Sequence, residues 1–235
     1  MKRRQALKIS SIGAISLTTS IGSSCSKHVY FFHHGVASGD PLNDRVILWT
    51  RVTPQQAGPI EVILEVSENK NFSSIIFSKK LQTSSLSDYT IKYDFLAKHY
   101  CDSDRGFFYR FRAGNEISEI GKSKTFSKNT IAAKIGIFSC SNFPAGYFNA
   151  YQAAAEKNDL DLWLHLGDYL YEYPMGGYAT DKAEKLKRVP EPLHEMVTLS
   201  DYRLRHAQYK KDQGSIALHK HAPLIAVWDD HEFSN

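Results

Sequence analysis

The chain has 235 residues, 42% hydrophobic and 23% charged, which allows one or two globular domains and excludes a disordered chain. The formal net charge is +4, and Lys2, Arg3, Arg4 and Lys8 carry part of it. Without those four the remainder is close to neutral, so the composition gives no reason to expect nucleic acid or an anionic membrane as partner.

The first 26 residues read as an export signal rather than as fold. A basic stretch, MKRRQALK, precedes an uncharged run of small and apolar residues over 9–24. That run is shorter than the ~20 residues of a membrane-spanning helix. The Arg3–Arg4 pair predicts a twin-arginine signal, the twin-arginine export machinery as a partner, and a periplasmic or extracellular location. Cys25 resembles the lipid-modified cysteine of bacterial lipoproteins, although Gly22 stands where such signals usually carry Leu. A lipid anchor and a cleaved, soluble form are therefore alternatives. Cys101 and Cys140 remain in the mature chain, and their separation does not establish a disulfide.

Residues from about 34 to 126 read as β-structure. Arg45 begins a strand that Thr53–Pro54 ends. Ile60, Val62, Leu64 and Val66 alternate with Glu61, Ile63, Glu65 and Ser67, Ile91, Tyr93 and Phe95 with Lys92 and Asp94, and Phe107, Tyr109 and Phe111 with Phe108, Arg110 and Arg112. Gly39-Asp40-Pro41, Gly58-Pro59 and Gly114-Asn115 separate the runs. Short strands at this spacing predict a small antiparallel sandwich. It holds no motif for chemistry, so a structural or substrate-framing role is expected.

After residue 130 the pattern changes. Residues 133–139 form an apolar strand without alternation, as expected for one buried on both faces. A helix is predicted over 146–157 with Tyr147, Tyr151 and Ala154 on one face. A second strand covers 160–166, which completes a β-α-β unit of the parallel kind. A polar stretch over 173–199 predicts a long loop above the site. Ser200 is a candidate cap for a helix over 201–212, a shorter helix is expected over 215–220, and a third buried strand covers 224–228.

Each of the three strands ends in metal-ligand chemistry. The first ends at Cys140-Ser141-Asn142, the second at Gly167-Asp168-Tyr169 with Tyr171 beyond, and the third at Asp229-Asp230-His231-Glu232. Parallel strands place their C-terminal ends on one edge, so these side chains are expected to converge. A lone cysteine is commonly an apolar core residue, and a lone Gly-Asp is commonly a turn. Their coincidence at consecutive strand ends predicts a metal site.

Three stretches carry a family resemblance. HHGVASGDPLNDRVILWTRV at 33–52, SCSNFPAGYFNAYQAAAEKNDLDLWLHLGDYLYEY at 139–173, and LSDYRLRHAQYKKD with WDDHEF near the end resemble PhoD-like alkaline phosphatases. The resemblance implies a two-domain protein, with an Ig/fibronectin-like β-sandwich at 27–127 followed by a calcineurin-like metallophosphoesterase domain from 131 to 235. It implies hydrolysis of phosphomonoesters and phosphodiesters by water activated with Fe(III) and Ca(II). Carried over by position, the iron thiolate matches Cys140, the metal-bridging carboxylate Asp168 and the iron phenolate Tyr171. Asp230 and His231 match metal-site and catalytic positions, with Asp229 expected behind them. Arg203 and Arg205 are candidates to steady the phosphoryl group, with a plain helix-surface role as the alternative. The family supplies further ligands in a later Gly-Asp-x-His type block that this sequence does not contain. The catalytic domain is therefore expected to be truncated, and a non-catalytic metal-binding or structural remnant is the competing expectation.

Overall fold

The protein, described by a computed structural model, is traced over residues 30–233. The signal segment 1–26, with Arg3, Arg4 and Cys25, lies outside the described residues.

Ten strands precede the first helix's β-α-β unit: β1 (Tyr30–Phe31), β2 (Val36–Gly39), β3 (Val46–Arg51), β4 (Thr53–Pro54), β5 (Ile60–Ser67), β6 (Ile75–Thr83), β7 (Thr90–Phe95), β8 (Phe107–Ala113), β9 (Glu116–Ile117) and β10 (Gly121–Ser123). Then come β11 (Ile135–Phe138), α1 (Asn149–Lys157), β12 (Leu162–His165), α2 (Leu199–Tyr209), α3 (Gln213–His221) and β13 (Leu224–Ala226). One sheet runs β10-β8-β5-β6, with β9 added to β8, and β1 pairs with β4. The other runs β11-β12-β13-β2-β3-β7.

The period-2 pattern explains the sandwich. Val46, Leu48 and Thr50 of β3 point inward and are fully buried, while Ile47, Trp49 and Arg51 point outward. The inward faces of β3 and β7 meet those of β5 and β8, and Leu48, Leu64, Phe95 and Phe111 share one core. Each such side chain contributes roughly 1.5–3 kcal/mol on burial. Glu65 is buried on β5, where Arg110 and Arg112 hold it at 2.7 and 3.0 Å.

The second half is a parallel unit. β11 pairs with β12 and β12 with β13, all parallel, so their C-terminal ends share one edge. α1 and α3 cover one face, where Tyr151, Trp163, Leu218 and Ala222 pack with Phe138. No described helix covers the other face. Ile135 and Ile137 are exposed there, so β11 is not buried on both faces as its composition suggests. The same holds for β13, where Ile225 is exposed. An isolated apolar run records an affinity for burial, not which neighbours supply it.

The outer edge of β13 is paired with the sandwich. Leu224 pairs with Gly39 of β2 in parallel register, and Asp40 N–H donates to the Leu224 carbonyl at 3.0 Å. One sheet therefore runs from the sandwich into the β-α-β half, and pairs such as Lys124–Asp161 at 2.7 Å tie the halves further.

Three helix boundaries differ from expectation. α1 starts at Asn149, and Tyr147 lies before it, exposed, with its hydroxyl donating to the Leu186 carbonyl at 3.1 Å. Thr198, not Ser200, caps α2. Its hydroxyl accepts from Asp201 N–H while the Asp201 carboxylate accepts from Thr198 N–H, a reciprocal capping box. Asp212 belongs to α3 as its N-cap rather than ending α2, accepting from Ser215 N–H at 3.1 Å and from Arg188 at 2.6 Å.

Candidate metal centre

The end of β12 is shaped by two backbone devices. Gly167 has a φ of +100°, and a Cβ there would lie 2.5 Å from the Asp229 Cβ, so glycine is what lets the β12 and β13 ends approach. Cys140 and Asp168 follow β11 and β12 with φ of 58° and 53°, left-handed conformations that non-glycine residues seldom adopt. Such strain, roughly 1–3 kcal/mol per residue, persists where surrounding contacts enforce it. Here Cys140 N–H donates to the Gly167 carbonyl and Ser141 N–H to the Asp168 carbonyl, at 3.2 and 2.8 Å.

These turns aim side chains at one point. Donor atoms of Asp168, Asp230 and His231 lie within 4.8 Å of one another. The Tyr171 hydroxyl and the Cys140 thiol donate to Asp168 Oδ2 at 3.3 and 3.5 Å. Asp168 Oδ1 is buried and has no hydrogen-bond partner among the described residues. A buried, unpartnered carboxylate oxygen is costly unless something cationic meets it. Cys140 is exposed rather than packed into a core, and neither it nor Cys101 is in a disulfide. Burial, then the charge at Asp168, pushes the Tyr171 phenol well above its ordinary range, so it keeps its proton at neutral pH. A cation that takes the phenolate must displace that proton.

Asp229 is placed differently from Asp230. Its carboxylate turns back to accept the Asp230 N–H at 3.1 Å.

Two glutamates hold the cluster: Glu232, expected only as part of the ligand-type string, and Glu172, for which the sequence carried no expectation. The buried Glu172 carboxylate lies 2.8 Å from His231 Nδ1. A carboxylate accepts there, so Nδ1 carries the proton and Nε2 is left for a ligand. Glu232 accepts the N–H groups of Asp168 at 3.1 Å, Tyr169 at 2.5 Å and Asp229 at 2.8 Å, joining the β12 and β13 ends. Glu232 stands in the Asp-Asp-His-Glu string and Glu172 follows Tyr171, but only their partners reveal their task. Behind the cluster, Ser141 Oγ lies 2.8 Å from His165 Nε2 and also bonds the Tyr151 hydroxyl. Burial pulls His165 down to about 4, so its imidazole is neutral.

Arg205 is committed elsewhere, and Arg203 is partly engaged. Arg205 is fully buried and gives its donors to the backbone carbonyls of Glu191, Tyr171, Tyr173 and Pro192. A guanidinium so engaged has no free fork for a phosphate, contrary to the substrate-binding expectation. Arg203 donates to the Leu86 carbonyl at 2.8 Å, across the junction with the sandwich.

The comparisons with known proteins agree on lineage. Residues 19–127 match the family model described as PhoD-like phosphatase, N-terminal domain, and residues 135–235 match PhoD-like phosphatase. The chain belongs to the PhoD-like phosphatase family. It is 36% identical over 220 residues to alkaline phosphatase D of Bacillus subtilis (strain 168), covering 88% of this chain and 36% of that relative. A solved structure of PhoD superposes with a TM-score of 0.78 at 34% identity, covering 87% of this chain and 40% of that one. The chain thus spans little more than a third of the length of this PhoD-like relative. The cluster lies within the segment matched by the PhoD-like phosphatase model.

Proposed function

We propose that the chain carries the metal-binding edge of a phosphoester hydrolase acting on phosphomonoesters and phosphodiesters. The observation that carries this reading is the convergence of Asp168, Asp230 and His231 donors beside an unpartnered Asp168 oxygen. Residues 27–127 serve as the Ig/fibronectin-like sandwich, and residues 131–235 as part of a calcineurin-like metallophosphoesterase domain. Family membership and the anionic donor set support Fe(III) and Ca(II) as the cations. Thiolate and phenolate donors suit a trivalent iron, and carboxylate oxygens suit calcium. Cys140, Tyr171 and Asp168 would hold the iron, and Asp230 and His231 complete the set, with Asp168 shared. Such cations, when bound, supply Lewis-acid activation of water and offset charge on the phosphoryl oxygens.

The chain's own residues prepare the site. Glu172 fixes the His231 ring with Nε2 directed away from the carboxylate, and Glu232 fixes the backbone that presents Asp168. His231 and Asp230 are the catalytic candidates and would orient the phosphoester. Export by the twin-arginine route to the periplasm or exterior, with or without a lipid at Cys25, belongs to the same reading and rests on the N-terminal sequence alone.

The test is metal content and hydrolysis of aryl phosphate mono- and diesters by the purified protein and by Asp168→Asn. The proposal expects bound iron in the parent and a large loss of metal in the variant. Equal metal in both would remove Asp168 from the site. Metal without turnover would leave a metal-binding module, and absence of both would favour the structural remnant.

A further inference from the structure

A second site lies at the junction of the halves, and none of Cys140, Asp168, Tyr171, Asp230 and His231 lines it. A cavity of about 860 Å³ opens between the outer face of β3 and one face of α2. Its floor follows from strand alternation, because the residues of β3 that leave the sandwich core, including Ile47 and Trp49, face it. Its wall follows from helix periodicity, because Tyr202, His206 and Lys210 recur every fourth residue along one side. The volume suits a small organic ligand, and aromatic lining with a few polar groups is the usual composition of such sites.

The charges in this cavity do not cancel at its inner end. Arg51 and Asp88 line it but form a two-bonded pair, at 3.0 and 2.8 Å. Lys210 forms no ion pair among the described residues. Its amine lies 2.6 Å from His219 Nε2, which also meets the Tyr169 hydroxyl at 2.8 Å, and 5.3 Å above the Trp49 ring. Asp40 also lines the cavity, and among the described residues it forms no ion pair with Lys210. A lysine placed over an aromatic ring without a counter-ion is a ready partner for an incoming anion.

We propose that this cavity binds a small aromatic molecule carrying one anionic group, with its ring against Trp49 and Tyr202 and its anion at Lys210. Burial lowers the Lys210 amine to about 7, so the anion captures a proton there as it binds near neutral pH. Two histidines and a tyrosine also face Lys210. Burial, with the Lys210 charge, keeps His219 well below its ordinary range, and the neighbouring Lys210 charge also lowers His206, whose side chain is exposed. Burial raises the Tyr169 phenol. Asp40, Asp88, Arg51 and Arg203 complete the charged lining.

The experiment titrates anilinonaphthalene sulfonate, an aromatic anion, into the whole protein and follows dye fluorescence and tryptophan quenching. Lys210→Met is expected to weaken binding about tenfold or more. Trp49→Ala weakens it as well, whereas Ile137→Asp, on the open face of the sheet, leaves it unchanged. In the parent, affinity falls as pH rises through about 7. Lys210→Arg keeps the affinity but loses that dependence, which serves if the methionine variant fails to fold. Unchanged affinity in Lys210→Met, a flat pH profile in the parent, or loss of binding in Ile137→Asp alone would overturn the proposal. The last result would place the dye on the sheet face instead.

Discussion

Replacing Arg205 by methionine separates a structural arginine from a substrate-binding one. The side chain is 1% exposed and bonds four backbone carbonyls, at 2.9, 3.2 and 3.1 Å for Glu191, Tyr173 and Pro192, with Tyr171 the fourth. Hydrogen bonds from a charged group contribute roughly 1.5–3 kcal/mol each. Four of them do not add in full, because dehydrating the guanidinium opposes them and methionine fills part of the space. A net loss of about 3–5 kcal/mol is expected, as for breaking other buried charged contacts. Against a total stability of about 5–15 kcal/mol, that is a large share. With a urea m-value of about 2 kcal/mol/M, the unfolding midpoint falls by about 2 M. Arg205→Lys recovers little, since one ammonium does not span four carbonyls. Urea unfolding followed by circular dichroism measures this directly. A midpoint shifted by less than about 0.5 M, together with weakened phosphate binding, would refute the structural assignment and restore Arg205 to the substrate.

Other outcomes follow from the same geometry. Gly167→Ala forces a Cβ to 2.5 Å from the Asp229 Cβ and to 2.7 Å from its N, so the strand ends separate. Loss of metal binding with about 2 kcal/mol or more of stability is expected, and a variant with parental metal content would contradict it. In iron-loaded protein, Tyr171→Phe and Cys140→Ser are each expected to alter the visible charge-transfer band; a spectrum indifferent to both would exclude the thiolate–phenolate donor set. Burial alone would raise Glu65, yet the hydrogen bonds and charges of Arg110 and Arg112 outweigh it and hold the carboxyl below its usual 4.5. Its contribution is therefore complete above about pH 4.5 and fades as pH falls through the folded-state value. The stability gap between the parent and Glu65→Gln, measured by urea unfolding, should close on acidification. A gap that widens below pH 4.5 would reverse the sign.

Much was legible from local chemistry. Strand alternation in β3, β5 and β8 is a property of consecutive residues, so the inward and outward faces could be read before any partner was known. The order strand, ligand-type residues, strand, ligand-type residues likewise implied a shared edge, because parallel strands leave no other arrangement. Helix ends were less legible. Thr198 and Ser200 are both competent caps, and the choice fell to Thr198 because Asp201 stands three residues beyond it and returns the bond.

What the tertiary structure alone decided is where long-range partners meet. Arg205 has the composition of a phosphate ligand, and only the fold of residues 171–192 around it shows four carbonyls in the way. Glu172 and His231 are 59 positions apart, and no local pattern announces their contact. The pairing of β13 with β2 is the largest such decision. It rests on a single parallel register between Leu224 and Gly39, joins the two halves through one sheet, and sets β3 against α2 to form the second cavity. Sequence by itself determined the elements and the residue types at their ends, because periodicity and turn chemistry act between neighbours. The meeting of those ends was decided by burial and hydrogen bonding between segments far apart in the chain, which composition does not encode position by position.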